Sequence, residues 1–126
     1  MTINQPVHGD KACVLIVDDE EDMRESLRDV IELGGCSAFT ARSGEEALAL
    51  LANRRPCLVV LDLLMPGMTG AETLEAMRRE PSLATMPVII STSAPERAPR
   101  GVPVLPKPID IDALWGWMKR VCECGN

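Results

Sequence analysis

Aromatic residues are almost absent from this sequence, which has no Tyr, one Phe and two Trp in 126 residues. Proteins that hold single-stranded nucleic acids commonly stack bases on aromatic side chains, and this chain offers no such platform. Basic residues are also scarce: 13 Lys and Arg stand against 19 Asp and Glu, which leaves a formal charge of -6. Because phosphate binding needs clustered cations and these are scattered, the composition excludes a nucleic-acid partner.

Long apolar runs are missing as well. No stretch approaches the roughly 20 residues that cross a bilayer, and residues 1–11 are polar, without the hydrophobic segment of a secretory signal. We therefore expect a protein of the cytoplasm with no membrane partner. The length fits one domain with a substantial core, and we predict a polar lead over residues 1–11 and a single domain over residues 12–124.

The cysteines are odd in number, and the chain shows no export signal. The five are Cys13, Cys36, Cys57, Cys122 and Cys124. We expect reduced thiols that serve as small apolar side chains. The last two are separated by one residue rather than the two of the common redox motif, and the one histidine, His8, is distant in sequence. A zinc site on these cysteines is therefore not expected.

What the sequence does contain is two continuous apolar runs that end abruptly in acids. Residues 12–17 are followed by Asp18 and Asp19, and residues 57–61 are followed by Asp62. Such runs predict strands that are covered on both faces of a sheet. Strand and helix patterns alternate five times, which predicts an α/β fold with a five-stranded parallel sheet and helices on both faces.

Three helix starts have recognisable capping residues. Ser43 with Glu46 and Thr69 with Glu72 have the S/T-x-x-E form of a capping box. Asp110 precedes a last apolar-striped segment and predicts the N-cap of a final helix. These signals place the helices between the strands, as a parallel sheet requires.

The acids that end the two apolar runs are the candidate functional residues. In open α/β sheets, ligands bind outside the carboxyl ends of the strands. If the first and third strands are neighbours, Asp18, Asp19 and Asp62 converge at one edge of the sheet. Close carboxylates repel one another unless a cation lies between them. Their oxygen donors favour a hard divalent ion, most naturally Mg²⁺.

Several blocks of residues occur in a characteristic order. They are Val17-Asp18-Asp19-Glu20, Ala41 with Ser43-Gly44-Glu45-Glu46-Ala47-Leu48, Asp62-Leu63-Leu64-Met65-Pro66-Gly67-Met68-Thr69-Gly70, Pro87-Val88-Ile89-Ile90 and Pro106-Lys107-Pro108. Over about residues 12–122 this set resembles the receiver domain of bacterial two-component response regulators, the CheY-like superfamily. The resemblance implies a flavodoxin-like, doubly wound fold whose aspartate takes a phosphoryl group from a histidine kinase or phosphotransfer protein, with Mg²⁺ beside it.

The resemblance also implies roles for individual residues. By motif position Asp62 is the phosphoacceptor. The Mg²⁺ is assigned to Asp19, Asp62 and the backbone carbonyl of Leu64, with Asp18 held nearby through water. Lys107 matches the lysine that reaches the acceptor, and the bond to the proline after it is expected to be cis, which an X-Pro bond tolerates.

The switch hydroxyl of the family has two candidates here. Thr92 stands five residues after Pro87, where this residue usually falls, and is our assignment. Ser93 with Ala94 resembles the family's hydroxyl-alanine pair and is the alternative.

The segment between Thr92 and Lys107 departs from the family. Only 14 residues must supply a helix, two loops and a strand, and the region is crowded by Pro95, Pro99, Pro103, Pro106 and Pro108. We therefore expect the fourth helix of the family to be short or missing, with at most one turn over residues 94–101. This predicts an apolar surface near Trp117 that would favour a partner protein or a homodimer. The family's aromatic switch residue is Val104 here.

The function expected from the resemblance is a phosphorylatable receiver that acts through a downstream protein. It is not expected to be an enzyme beyond self-catalysed phosphoryl transfer and slow self-dephosphorylation, since Leu64 and Ala94 cannot orient a water molecule. The alternative is a receiver-like interaction module that works without phosphorylation. A hydrolase with an aspartyl nucleophile would need a second acid where Leu64 stands.

Overall fold

The computed structural model describes residues 13–122, with the backbone alone for Cys13. In chain order the elements are β1 (Cys13–Val17), α1 (Glu21–Leu33), β2 (Ser37–Ala41), α2 (Gly44–Leu51), β3 (Leu58–Asp62), α3 (Gly70–Arg79), β4 (Val88–Thr92), a 3₁₀ turn (Pro95–Arg97), β5 (Val104–Pro106) and α4 (Ile111–Val121). The polar lead expected over residues 1–11 and the end of the predicted domain at residues 123 and 124 lie outside the described residues.

The strands form one parallel sheet in the order β2-β1-β3-β4-β5. The predicted five-stranded, doubly wound parallel sheet is therefore confirmed. β1 and β3 are neighbours, with Val17 opposite Leu61, and Asp62 lies opposite Ser91 of β4. This register brings the carboxyl ends of the three central strands to one edge of the sheet.

The apolar runs are buried on both faces, as their lack of alternation predicts. Because successive strand residues point to opposite faces, Leu15 and Val17 join one core cluster, and Val14 and Ile16 join the other. The first cluster lies under α2 and α3, and the second lies under α1 and α4. None of the helices in the described range is long and apolar enough to span a membrane.

The capping signals start the helices where the sequence places them. Thr69 and Glu72 make a complete capping box, in which each side chain accepts the other residue's backbone N–H. Ser43 accepts the N–H of Glu46, but the Glu46 carboxylate accepts from Arg42 rather than closing the box on Ser43. The local sequence thus fixes the start of both helices.

The segment between β4 and β5 contains a single 3₁₀ turn, so the prediction that the family's fourth helix is short or missing is confirmed. Ala98 and Val102 of this segment pack against the core cluster under α2 and α3. The apolar surface expected near Trp117 stays a prediction, but the missing helix cannot create it, because Trp117 lies on the opposite face of the sheet. There it is half-buried, with the Arg120 guanidinium 4.8 Å from its ring centroid.

The cysteines require a correction. Cys57 and Cys122 form a disulfide with their Cα atoms 5.3 Å apart, and Cys36 is disulfide-bonded as well. The expectation of reduced thiols is therefore wrong for these three residues. It fails because the fold brings together two cysteines that are 65 residues apart in sequence, which no local pattern reveals. Cys124 lies beyond the described part of the chain.

Candidate functional site

A cavity of about 220 Å³ opens at the carboxyl edge of the sheet. It is lined by Asp19, Glu20, Asp62, Leu64, Thr92, Ser93 and Lys107. These residues follow β1, β3, β4 and β5 or end those strands, so four neighbouring strands deliver them to one place. The structure thus brings together the candidate residues from separate parts of the sequence, including both candidate switch hydroxyls.

Three carboxylates form an acidic cluster at this edge. One oxygen from each of Asp18, Asp19 and Asp62 lies within 4.8 Å of the others. Asp18 and Asp62 are 2% and 6% exposed, whereas Asp19 is exposed to solvent. Negatively charged oxygen donors at this spacing fit a hard divalent cation such as Mg²⁺, and one open side leaves room for water or substrate oxygens.

Lys107 lies between the two buried acids. Its Nζ is 3.0 Å from Asp18 Oδ2 and 3.4 Å from Asp62 Oδ1. Its backbone N–H donates to the carbonyl of Thr92 at 2.8 Å, which holds the residue at the end of the sheet. The bond from Lys107 to Pro108 is cis, as expected.

The pKa of Lys107 reflects two opposing effects. Burial acts to lower it, but the hydrogen bond and charge of Asp18, and then those of Asp62, outweigh burial and raise the pKa above its ordinary value. The ammonium group therefore stays charged at neutral pH. It supplies a fixed positive charge beside the carboxylates.

The carboxyl group of Asp62 is held in an unfavourable place for a negative charge. Burial, and next the charge of Asp18, raise its pKa from 3.8 to about 6, against the opposing effect of Lys107. At neutral pH the group is mostly ionised and poorly solvated. Such a carboxylate is both a good ligand for a cation and a competent nucleophile.

Asp18 is anchored by contacts that the sequence does not reveal. Its Oδ1 accepts the backbone N–H of Glu20 at 2.9 Å, and its carbonyl accepts from Nη1 of Arg24 at 2.9 Å. Arg24 is on α1, among polar residues that the sequence pattern places on the solvent-facing side of that helix. Nothing in the sequence separates it from its neighbours, because the contact depends on how α1 crosses the end of β1.

The hydroxyl residues that end β4 and follow it differ in their surroundings. Thr92 is 1% exposed and its Oγ1 accepts the N–H of Ala94 at 2.9 Å, whereas Ser93 is exposed. Ser91 is buried beside Asp62, and its hydroxyl has no hydrogen-bond partner among the residues that the structure describes. Because both Thr92 and Ser93 line the cavity, the choice between them as switch residue stays a prediction.

Gly70 packs directly against the backbone of Asp62 and Leu63. Its N–H donates to the carbonyl of Leu63 at 2.9 Å, and α3 begins at this point. A Cβ at this position would lie 2.3 Å from the carbonyl oxygen of Asp62 and 2.8 Å from Cα of Leu63. Only glycine permits this approach, which fixes the loop after β3 against the end of the strand.

Known proteins are similar to this chain in sequence and in fold. Residues 14–115 match the family described as "Response regulator receiver domain". The response regulator MprA of Mycobacterium sp. (strain KMS) is 34% identical over 113 residues, which are 84% of this chain and 48% of MprA. A response regulator receiver protein of Anaeromyxobacter sp. (strain Fw109-5) is 38% identical over 105 residues, which are 79% of this chain and 44% of that protein. The chain spans about half the length of these curated relatives.

Solved structures agree with the sequence comparison. The chemotaxis protein CheY4 of Vibrio cholerae superposes with a TM-score of 0.78 at 30% identity, covering 88% of this chain and 98% of CheY4. The receiver domain of a histidine kinase from Syntrophus aciditrophicus gives a TM-score of 0.79 at 30% identity, covering 87% of this chain and 89% of that one.

The sheet order, with acids after β1 and at the end of β3 and a lysine after β5, defines a CheY-like α/β protein of the flavodoxin-like fold. This chain belongs to the response regulator receiver family, whose members are components of two-component signal transduction.

Proposed function

We propose that Asp62 accepts a phosphoryl group from a histidine kinase or phosphotransfer protein, and that the phosphorylated receiver acts on a downstream protein. The observation that supports this most is the cluster of three acids and Lys107 beside one cavity, whose lining includes the buried Asp62. A receiver needs such a carboxylate, which must be accessible to a phosphoryl donor and surrounded by groups that offset phosphate charge.

The chemistry is a single displacement at phosphorus. A carboxylate oxygen of Asp62 forms the new P–O bond while the P–N bond of the donor phosphohistidine breaks and its imidazole leaves. Lys107 supplies a fixed cation within hydrogen-bonding distance of the acceptor, and the hydroxyl of Thr92 or Ser93 can donate to a phosphoryl oxygen. The chain would thus catalyse its own phosphorylation and act as an enzyme on no other molecule.

We further propose a Mg²⁺ ion at this cavity, held by Asp19, Asp62 and the carbonyl of Leu64, with Asp18 nearby through water. The ion would offset the charge of the acids and of the phosphoryl oxygens. The donor set fits this ion because its members are carboxylates and a carbonyl rather than nitrogen or sulfur.

The test is intact mass after incubation with a small acyl phosphate or phosphoramidate. We expect the protein to gain the mass of one phosphoryl group when Mg²⁺ is present and to gain none in excess chelator. Asp62→Asn should not be labelled, whereas the control Asp29→Asn, which removes an exposed acid of α1, should label like the parent. Equal labelling of Asp62→Asn would refute the assignment. Absence of labelling in every protein would favour the interaction module that works without phosphorylation.

Asp19 has its own test, because it is the exposed member of the acidic cluster. Asp19→Asn removes one charged ligand and should weaken Mg²⁺ binding at least about tenfold, a loss of about 1.4 kcal/mol. Calorimetric titration of the metal-free proteins measures this. Asp29→Asn makes the same charge change away from the cavity and should bind like the parent. Equal affinities of Asp19→Asn and the parent would remove Asp19 from the site.

Leu64 bears on how long the phosphoryl group lasts. Its side chain is 44% exposed and lines the cavity, but it cannot hydrogen-bond to a water molecule that would attack phosphorus. We therefore expect slow self-dephosphorylation. Leu64→Asn should accelerate phosphate loss at least about tenfold by helping to position the water.

The control for this rate is Leu33→Asn, which makes the same change at an 83% exposed leucine that ends α1. Its phosphate should be lost at the parent's rate. If Leu64→Asn is no faster than either, Leu64 does not limit hydrolysis, and backbone groups or a separate phosphatase position the water.

A receiver of this kind needs one partner that supplies the phosphoryl group and another that responds to it. We place the protein in the cytoplasm with the kinase domain that would supply the phosphoryl group. Its output is expected to be binding to another protein or to a second copy of the chain. Analytical ultracentrifugation of the phosphorylated and unphosphorylated forms would distinguish a homodimer from a monomer that needs a different partner.

A further inference from the structure

The disulfide between Cys57 and Cys122 fastens the end of the last helix to the beginning of a central strand. Cys57 directly precedes β3, and Cys122 is the C-cap of α4. Along α4 and its C-cap the most deeply buried residues are Leu114, Met118 and Cys122, spaced four residues apart and 0%, 4% and 7% exposed. The disulfide therefore lies at the C-terminal end of the buried face by which α4 packs on the sheet.

The two cysteines of the bond differ in exposure. Cys57 is half-buried, whereas Cys122 is buried. A small thiolate would attack Sγ of Cys57, form a mixed disulfide there and release Cys122 as a thiolate. A second thiol would then release Cys57 and leave as part of a low-molecular-weight disulfide. The reverse sequence, with that disulfide as oxidant, restores the bond and returns two thiols, so electrons and protons balance.

We infer that Cys57 and Cys122 are a reversible thiol–disulfide site that exchanges with a small thiol and its disulfide, and that the oxidised form clamps the C-terminal half of α4 to the sheet. Reduction removes this covalent link and leaves the buried side chains of that half to hold it on the sheet. α4 also carries Ile111 and Trp115, which are 42% and 36% exposed, so the redox state would govern the order of a helix with an apolar outer surface.

This site is separate from the acceptor, and the inference goes beyond the proposed function. Cys57 precedes the amino end of β3, whereas Asp62 is at its carboxyl end. Four strand residues lie between them, and the five steps along the strand span about 17 Å. Phosphorylation of Asp62 should therefore be similar in the reduced and oxidised proteins. If Asp62 were not phosphorylated at all, the proposed function would fail, but the inference about the disulfide would be unaffected.

The chain carries its own probe for α4. Its only two tryptophans, Trp115 and Trp117, are both on this helix. Trp115 lies near the end of α1, since a Cβ built on Gly34 would be 3.0 Å from its Nε1. Trp117 packs on the core cluster under α1 and α4. Tryptophan emission therefore reports whether α4 is docked.

The experiment equilibrates the whole chain with oxidised and reduced glutathione at a series of ratios, followed by alkylation and peptide mass analysis. We expect Cys57 and Cys122 to change together from bonded to free thiols. Over the same range tryptophan emission should shift to longer wavelength, and amide exchange near the end of α4 should rise at least about tenfold. The melting temperature should fall by roughly 10 °C, because the bond closes a long loop.

The matched control is the double variant Cys57→Ser with Cys122→Ser. It should resemble the reduced parent, ignore the glutathione ratio and still accept phosphate. If emission of this variant responds to glutathione like the parent, the effect comes from another disulfide, such as that of Cys36, and the inference is wrong. Measurement of the reduced parent covers the case of a variant that does not fold. Unchanged emission and amide exchange on its reduction would equally overturn the clamp.

Discussion

The variant Asp62→Asn is expected to be more stable than the parent by about 2 kcal/mol at pH 7 in the absence of metal. Burial and the neighbouring Asp18 raise the pKa of Asp62 from 3.8 to about 6, so holding its charge in the fold is unfavourable. One pKa unit corresponds to about 1.4 kcal/mol, and water at the cavity mouth reduces the full effect. Asparagine keeps the shape and removes the charge.

The pH dependence gives the sign of this effect. Between about pH 4 and 6 the folded protein keeps a proton on Asp62 that the unfolded chain has lost. The free energy of unfolding contributed by this group therefore falls as pH rises through that window and is level above it. The gain from Asp62→Asn should be absent at pH 4 and complete by pH 7. Urea unfolding in chelator, at several pH values, measures it.

Metal should reverse the order of stabilities. Excess Mg²⁺ stabilises only the protein that binds it. The free energy of unfolding should therefore rise for the parent as the ion is added, but not for Asp62→Asn. Asp29→Asn, which removes an exposed acid, serves as the control and should show neither the pH-dependent gain nor the reversal. If Asp62→Asn is less stable than the parent at pH 7 in chelator, the charge of Asp62 does not destabilise the fold.

Gly70→Ala is expected to destabilise the fold by about 3 kcal/mol. The new methyl group would meet the backbone of Asp62 and Leu63 at 2.3 and 2.8 Å, and backbone atoms cannot rotate away as a flexible side chain can. The start of α3 or the end of β3 must move, which displaces Asp62, the proposed acceptor. We therefore expect slower phosphorylation of Asp62 in addition to the lower stability, measured by urea unfolding and by the mass assay.

The control for this clash is Gly116→Ala in α4. Apart from its chain neighbours and the nearby backbone of its own helix, no atom lies within 4 Å of a Cβ at that position, and alanine is favoured over glycine in a helix interior. This variant should be more stable than the parent by about 0.5–1 kcal/mol, with normal phosphorylation. If the glycine-to-alanine change lowers stability at position 70 and raises it at position 116, the loss at position 70 comes from its close contact with the backbone. A neutral Gly70→Ala would mean that the loop after β3 is free to adjust.

Much of the fold follows from local patterns in the sequence. The apolar runs before Asp18 and Asp62 mark strands covered on both faces, and strand–helix alternation allows few topologies for a parallel sheet. The acids are recognisable because each interrupts such a run. The short turn at Pro95–Arg97 is equally local, since crowded prolines leave no room for a helix.

The features that could not be predicted depend on distance in three dimensions. Arg24 contacts the carbonyl of Asp18 only because of the path that α1 takes. Cys57 and Cys122 meet only after the last helix packs on the sheet. The need for glycine at position 70 arises from the backbone of a neighbouring strand end, not from the dihedral angles of the residue itself.

The short segment in place of a fourth helix changes what the edge of the sheet offers to another chain. β5 is an edge strand of three residues, and it includes Pro106 and follows Pro103. Proline has no N–H, so this edge presents few donors for a strand of another molecule to pair with. The sheet therefore cannot readily be extended through β5. Any contact between copies of the chain on this side must be made by side chains and loops rather than by a continuous sheet.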